Sequence, residues 1–418
     1  MSAQPISIQD QDEIYNIQST ERQELLQQLK QAMGTENVSV PFWACLQVCD
    51  LNCLRKMIAN TCSGPIFINV LQSTALAIPL HWMQKSPGER NLGTSSPASP
   101  ATPNRPFGTP DRAPSRRSQA LKNLVMERDD TLCILTKMGC VTEVAHIYPV
   151  SLLQPQQRSN LAACIPPFWH LLRIFFDQNR LDKWHSAIFR DALQPDRAMD
   201  GVFNQICLTA SAHTAWTKGL FALRPLQEAA DRRSLSVELH WQPVQTHTKF
   251  DAIDLLSPPG QSRDLEGSGS FVLYSRIFNR LLRTGDILVL TTHNPETHPL
   301  PSFALLEMQW FLTRIVSMSA AADEYNRNNF NDDVEGAAPA LDTFHSRALH
   351  ESISEMFSST PKWQHDPQLS QSNSSVGERE DDDVEQSVTT ASVGPSPSKT
   401  RQVENTLSAV TEDSASEA

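Results

Sequence analysis

Apolar residues recur at helical spacing near the start of the chain. Over residues 14–33 the apolar positions include Leu25, Leu29 and Met33, and they are separated by Gln, Glu and Lys. This spacing is typical of an amphipathic helix. We therefore predict a small N-terminal helical region over residues 1–84.

Two long segments lack such patterns. Residues 85–120 are rich in Pro, Ser, Thr, Gly and Arg, which predicts a disordered linker. Residues 323–418 are mostly polar and contain the acidic run EREDDDVE, which predicts an acidic disordered tail. The formal net charge of -12 is concentrated in this tail, so the acidity says little about what the rest of the chain binds.

Between these segments, residues 121–322 alternate strand-like and helix-like patterns. The runs TLCILT (131–136) and VTEVAHI (141–147) predict a β-hairpin. Later runs predict a strand at 236–241, a strand at 286–292 and a helix at 305–318. Apolar clusters predict two further helices at 166–176 and 181–189.

The chain has 8 cysteines, and no two of them form a C-x-x-C pair. This favours reduced thiols. Cys45, Cys49 and Cys53 are four residues apart, so we expect them on one helix face. Buried core thiols are favoured there over a zinc site, because zinc knuckles use tighter spacing.

No targeting or membrane-spanning pattern is evident. The most apolar stretch, 66–82, is interrupted by polar residues and by Pro79. We expect a protein without a signal peptide or transmembrane segment, located inside the cell in the nucleus or cytoplasm.

Three residues could together support phosphodiester hydrolysis. His146 ends the predicted hairpin, Asn204 begins the run NQICL, and His213 lies in the helical run SAHTAW. A metal-dependent nuclease needs a base, ligands for a divalent ion and a group that orients the base. No partner is evident from sequence for His293 or His298, so they are interpreted as structural or exposed.

The motifs AHIYP, N-x-I-C-L and H-x-x-W-x-x-G-x-F-A-L-x-P occur in this order. With GDILVLTT and PLPSFALLEMQWFLTRI downstream, they resemble the HNH nuclease domain of many uncharacterised fungal proteins. The resemblance covers 121–322. It implies an α+β fold with a ββα-metal (HNH-type) core, carrying inserted and appended helices and strands and flanked by disordered segments.

The resemblance also implies roles for individual residues. His146 is the general base, Asn204 orders the hairpin and the base, and His213 is a metal ligand. Many active members carry an acid or His where this chain has Ala145, and an acid near Thr217. Glu143, two residues from Ala145 and on the same strand face, is the candidate second ligand.

The implied function is a metal-dependent endonuclease acting on nucleic acid, with DNA as the expected substrate. Mg²⁺ or Mn²⁺ is the expected cofactor, with Zn²⁺ or Ni²⁺ as alternatives. The alternative function is a non-catalytic HNH-fold module that binds nucleic acid or protein. A carboxylate within coordination range of His213, above all that of Glu143, distinguishes the two hypotheses.

Overall fold

The computed structural model describes residues 12–61, 65–83, 116–153, 168–191, 193 and 197–322. The predicted tail and all but the last five residues of the predicted linker lie outside these ranges. Among the described residues, no helix is both long enough and apolar enough to cross a membrane.

Helices and short strands alternate along the chain. The helices are α1 (Thr20–Met33), α2 (Val40–Val48), α3 (Leu51–Thr61), α4 (Pro65–Ala75), α5 (Ala77–Trp82), α6 (Arg116–Arg128), α7 (Val150–Leu153), α8 (Phe168–Phe175), α9 (Gln178–Ile188), α10 (Ala210–Thr217) and α11 (Phe303–Met318). The strands are β1 (Asn37–Ser39), β2 (Thr142–His146), β3 (Gln205–Thr209), β4 (Phe221–Glu228), β5 (Ser234–Trp241), β6 (Ala252–Asp254), β7 (Tyr274–Ser275), β8 (Arg280–Leu281) and β9 (Asp286–Thr291).

The strands form small antiparallel sheets. The largest has the order β4-β5-β9, and the pairs β1-β6, β2-β3 and β7-β8 form two-stranded sheets. Strand β9 alternates buried and exposed residues, as expected for a strand with one face on the core. The mixture of helices with small sheets confirms the predicted α+β class.

Helix α11 passes through the centre of the core. It packs against β4 and against helices α2, α5 and α9. Most of its residues are buried, including Leu305, Leu312 and Ile315. A helix that is apolar around most of its circumference needs this central position.

The N-terminal helices share that core. The indole nitrogen of Trp82 donates to Oγ1 of Thr313 at 3.3 Å, and that of Trp43 donates to the carbonyl oxygen of Ser257 at 2.9 Å. Residues from both ends of the described chain contribute to one continuous hydrophobic cluster. The region predicted as 1–84 therefore packs on the 121–322 region rather than standing apart from it.

The cysteine prediction is right about burial and wrong about the helix. Cys45, Cys49 and Cys53 are all buried and unbridged. However, Cys45 lies in α2, Cys49 caps the end of that helix, and Cys53 lies in α3. The extended backbone of Cys49 breaks the continuous helix that the four-residue spacing predicted.

The predicted hairpin is also wrong in its first strand. Residues 131–136 form turns and a bend instead of a strand, and the backbone N–H of Cys133 donates to the carbonyl oxygen of Met138, just beyond them. Strand β2 pairs instead with β3, with His146 opposite Gln205. The apolar side chains Ile134 and Leu135 are buried without being in a strand, because a short apolar run indicates burial more reliably than strand structure.

Arg128, at the end of α6, joins three parts of this region. Its buried guanidinium donates to the carbonyl oxygens of Val202 (3.1 Å), Gln205 (2.8 Å) and Pro299 (2.9 Å). It also forms an ion pair of 2.7 Å with Asp129, whose other carboxylate oxygen accepts from the N–H of Cys207 at 2.9 Å. Helix α6 is thereby fixed to β3 and to the loop before α11.

We predict that Arg128→Ala lowers the free energy of unfolding by about 3 to 5 kcal/mol, because Asp129 would remain as a buried charge without its partner. Chemical denaturation of the full chain measures this. Arg55→Ala is the matched control, since Arg55 pairs with Glu21 at the surface and its loss should cost no more than about 1 kcal/mol. Equal losses in the two variants would contradict the prediction.

His240 is a buried histidine on β5. Its ring lies between Tyr15 and Trp310, with centroids 5.4 and 4.7 Å away, and its Nε2 is 3.1 Å from Oε2 of Glu238. Burial lowers the pKa of His240 below its ordinary value despite the contact with Glu238, and nearby arginine charges act in the same direction. The folded protein therefore disfavours protonation of this ring.

We predict that the protein loses stability as the pH falls through about 6.5, since the unfolded chain then takes up a proton at His240 that the folded chain resists. Denaturation at several pH values between about 7.5 and 5.5 tests this. In His240→Phe, which keeps an aromatic ring at this position, the dependence should be weaker. An unchanged slope would show that another group is responsible.

Candidate functional site

Strand β2 carries two of the predicted site residues on opposite faces. Successive side chains of a strand alternate between faces, so Glu143 and Ala145 share one face and His146 lies on the other. The pairing with β3 places Gln205 opposite His146 and Leu208 opposite Glu143. The β2-β3 pair therefore separates the predicted base from the predicted second ligand.

Asn204 fixes the chain that follows β2. Its side chain is fully buried, with Oδ1 accepting from the N–H of Tyr148 at 2.7 Å and Nδ2 donating to the carbonyl oxygen of Tyr148 at 3.2 Å. Its backbone carbonyl accepts from Ile147 at 2.9 Å. These contacts hold the two residues directly after His146 in place.

His146 contacts Asp200 and Gln205. Its Nε2 lies 3.0 Å from Oδ2 of Asp200 and 3.1 Å from Nε2 of Gln205. Nε2 of Gln205 also donates to that same carboxylate oxygen at 3.1 Å. The simplest assignment has both nitrogens donating to Asp200, so that the lone pair of neutral His146 is on Nδ1.

The carboxylate of Asp200 receives several donors. Besides His146 and Gln205, Nδ2 of Asn204 donates to its Oδ1 at 3.2 Å, and so does the N–H of Gly201 at 3.0 Å. Burial opposes ionisation, but the contacts with His146, Asn204 and Gln205 outweigh it and lower the pKa of Asp200. Asp200 is therefore a carboxylate positioned to stabilise a positive charge on His146.

Helix α10 positions His213 against β2. The helix begins at Ala210, directly after β3, and the Thr209 side chain caps it by accepting from the N–H of Ala212. Nδ1 of His213 lies 2.6 Å from Oε2 of Glu143, and the His213 side chain is 9% exposed whereas that of Glu143 is 40% exposed. The predicted ligands thus meet at the solvent edge of the helix.

Ala145 and Thr217, the two positions at which the sequence departs from active members, do not supply a metal ligand in the structure. The side chain of Ala145 is fully buried, and the hydroxyl of Thr217 donates to the carbonyl oxygen of Thr214 at 2.9 Å. Within the part of the chain that the structure describes, no cluster of three potential metal-binding side chains includes Glu143 or His213.

Glu143 and His213 could supply two of the ligands that a divalent ion needs, which is an incomplete ligand set. Two ligands on one ion hold their donor atoms about 3.0 to 3.4 Å apart, given bonds of about 2.1 Å, so the hydrogen-bonded distance must widen slightly. The exposed Glu143 can turn to allow this. One imidazole and one carboxylate supply a mixed nitrogen and oxygen donor set, which leaves the remaining positions for water or substrate.

The predicted residues thus form two groups. In the first, His146 and Asn204 both contact Asp200, and in the second, Glu143 contacts His213. Asp200 and Gln205 were not among the residues predicted from the sequence. Gln205 follows Asn204 directly, but it could be assigned to His146 only with the correct strand pairing. Asp200 is separated from His146 by 54 residues, and its only sequence signal is its position four residues before Asn204.

Residues 133–224 match the family model described as HNH endonuclease. The match contains all four predicted site residues, and it confirms the family predicted from the motifs. The similarity to the HNH endonuclease family therefore extends over this segment of the chain. No curated protein and no solved structure matches the chain.

We predict that Asn204→Ala lowers the free energy of unfolding by about 2 to 4 kcal/mol, because the buried backbone groups of Tyr148 lose their partners. Thermal or chemical denaturation measures the change. Asn52→Ala is the matched control, because the Asn52 side-chain contacts with Asp177 and Arg55 are exposed, and their loss should cost less than about 1 kcal/mol. A cost for Asn204→Ala as small as the control's would contradict its ordering role.

Proposed function

We propose that residues 121–322 form a metal-dependent HNH endonuclease domain that hydrolyses phosphodiester bonds of nucleic acid, with DNA as the substrate. The observation that carries this proposal is that strand β2 contributes both His146, which pairs with the carboxylate of Asp200, and Glu143, which contacts His213. The order β2, β3, α10 supports a ββα core, since an antiparallel pair leads directly into the helix that carries His213.

His146 is the general base in this proposal. Nδ1 takes a proton from a water molecule while the water oxygen attacks phosphorus and the bond to the leaving oxygen breaks. The ionised Asp200 holds the ring through Nε2 and stabilises the imidazolium that forms. Asn204 positions the ring indirectly, through its contacts with Tyr148 and Asp200.

Glu143 and His213 are the proposed metal ligands. A divalent ion held there would neutralise charge on the scissile phosphate and on the leaving oxygen. Mg²⁺ or Mn²⁺ suits the carboxylate and water ligands, and the imidazole of His213 is also compatible with Zn²⁺ or Ni²⁺.

One observation favours the second candidate function, a non-catalytic module that binds nucleic acid or protein. Among the described residues, Glu143 and His213 have no third His, Cys, Asp or Glu close enough to complete a cluster. A site with two protein ligands holds its ion more weakly, and a domain that has lost metal binding could keep its binding surface.

A nuclease assay with the full chain tests the proposal. Cleavage of linear and supercoiled DNA is measured with Mg²⁺, Mn²⁺, Zn²⁺ or Ni²⁺, and Mn²⁺ binding is measured by calorimetry. His146→Ala should lower the cleavage rate by about 10² to 10⁴-fold with little change in Mn²⁺ affinity, because a base does not hold the ion. His213→Ala should instead weaken Mn²⁺ binding.

His247→Ala serves as the control, since His247 contacts the carbonyl oxygen of Met318 and belongs to neither group. It should cleave like the wild type. Equal, weak cleavage by the wild type and by both site variants would indicate a contaminating nuclease and favour the binding module. Circular dichroism of each variant establishes that a lost activity is not a lost fold.

A further inference from the structure

A second cluster of metal-binding side chains lies outside the proposed nuclease site. Glu127 is in the last turn of α6, whereas His293 and His298 lie in the loop between β9 and α11. One ligand atom from each side chain lies within 4.8 Å of those of the other two. The two imidazole rings are 4.4 Å apart between centroids.

Hydrogen bonds within the loop hold the two histidines close together. The hydroxyl of Thr292 donates to the carbonyl oxygen of His298 at 2.6 Å, and the N–H of His298 donates to the carbonyl oxygen of Asn294 at 2.9 Å. These bonds close the loop between its ends. The closed loop thereby brings the rings of His293 and His298 together, although the two residues are five positions apart in the sequence.

His298 provides the observation that points to a ligand. The residue is only 7% exposed, and its Nε2 is buried with no partner in hydrogen-bonding geometry. Oε2 of Glu127 is 3.2 Å from this nitrogen, a distance suited to an ion pair but at an angle unsuited to a hydrogen bond. A buried polar atom without a partner is unfavourable, and a cation between the two groups would remove that cost.

The other ring nitrogen of His298 is already engaged. Nδ1 lies 2.8 Å from the hydroxyl oxygen of Thr297. When Nδ1–H donates to Thr297, the lone pair is on Nε2 and faces the cluster. Histidines that bind metals commonly have their second nitrogen held in this way.

We propose that Glu127, His293 and His298 bind a transition-metal ion, with Zn²⁺ as the best fit. Two imidazoles and one carboxylate favour Zn²⁺ over Mg²⁺ or Ca²⁺, which require more oxygen ligands. Bonds of about 2.0 to 2.2 Å place donor atoms about 3.0 to 3.6 Å apart, so the cluster must contract modestly. Glu127 and His293 are exposed and can move toward the fixed His298. Water completes the fourth position.

A bound ion would stabilise the packing of α6 against the loop before α11, next to Arg128. Glu127 precedes Arg128, and Arg128 already joins α6 to Pro299 in the same loop and to Gln205 beside His146. A bound ion would add a second connection between α6 and this loop. This role is structural and independent of the Glu143 and His213 pair.

Equilibrium dialysis of the full chain against Zn²⁺, followed by metal analysis, tests the proposal. The wild type should bind one more equivalent of Zn²⁺ than either Glu127→Gln or His293→Ala, or bind that equivalent at least about tenfold more tightly, because each variant removes one of three ligands. Both substituted residues are exposed, so both variants should fold. Zn²⁺ should also raise the melting temperature of the wild type more than that of either variant.

Glu296→Gln is the matched control. Glu296 is an exposed carboxylate in the same loop, paired with Arg232 and absent from the cluster. Its Zn²⁺ binding should equal that of the wild type. The proposal is overturned if either Glu127→Gln or His293→Ala binds Zn²⁺ like the wild type, or if Glu296→Gln loses the same equivalent. His213→Ala should keep this equivalent, which separates the outcome from that of the proposed nuclease site.

Discussion

The buried guanidinium of Arg128 is the contact on which the site region depends. It satisfies three backbone carbonyls in two segments that are distant in sequence, and its charge is balanced by Asp129. A buried charge keeps its geometry because the loss of any of its bonds leaves the desolvation of the charge uncompensated. The position of Gln205, and through it that of His146 and Asp200, therefore follows from the end of α6. The loop that carries His298 is tied to the same helix through Pro299.

Strand β2 divides the chemistry between its two faces. His146 and its carboxylate partner lie on one side, whereas Glu143 meets His213 on the side packed by α10. Trp216 joins the two sides, because its indole nitrogen donates to the backbone carbonyl of His146 at 3.0 Å. Helix α10 thus contacts both the strand end that carries the proposed base, through Trp216, and the proposed ligand Glu143, through His213.

The HNH-matched segment is embedded in a larger core. Helices α2 and α5 pack on α11, and the buried Arg314 of α11 donates to Oδ1 of Asn16 at 2.9 Å. Helix α11 in turn packs on β4, which belongs partly to the matched segment. The matched segment therefore shares its buried core with residues far outside it.

The sequence by itself determined the elements with strong local patterns and the chemistry of single residues. Strand β5 and helix α11 lie close to their predicted bounds, because alternation and helical spacing are local properties of the chain. The motif order gave the HNH family. Only the tertiary structure decided that β2 pairs with β3 instead of 131–136, because strand pairing is set by long-range packing. For the same reason Asp200 meets His146, and Glu127 meets His298, only after the chain has folded, since no local spacing encodes contacts across such separations.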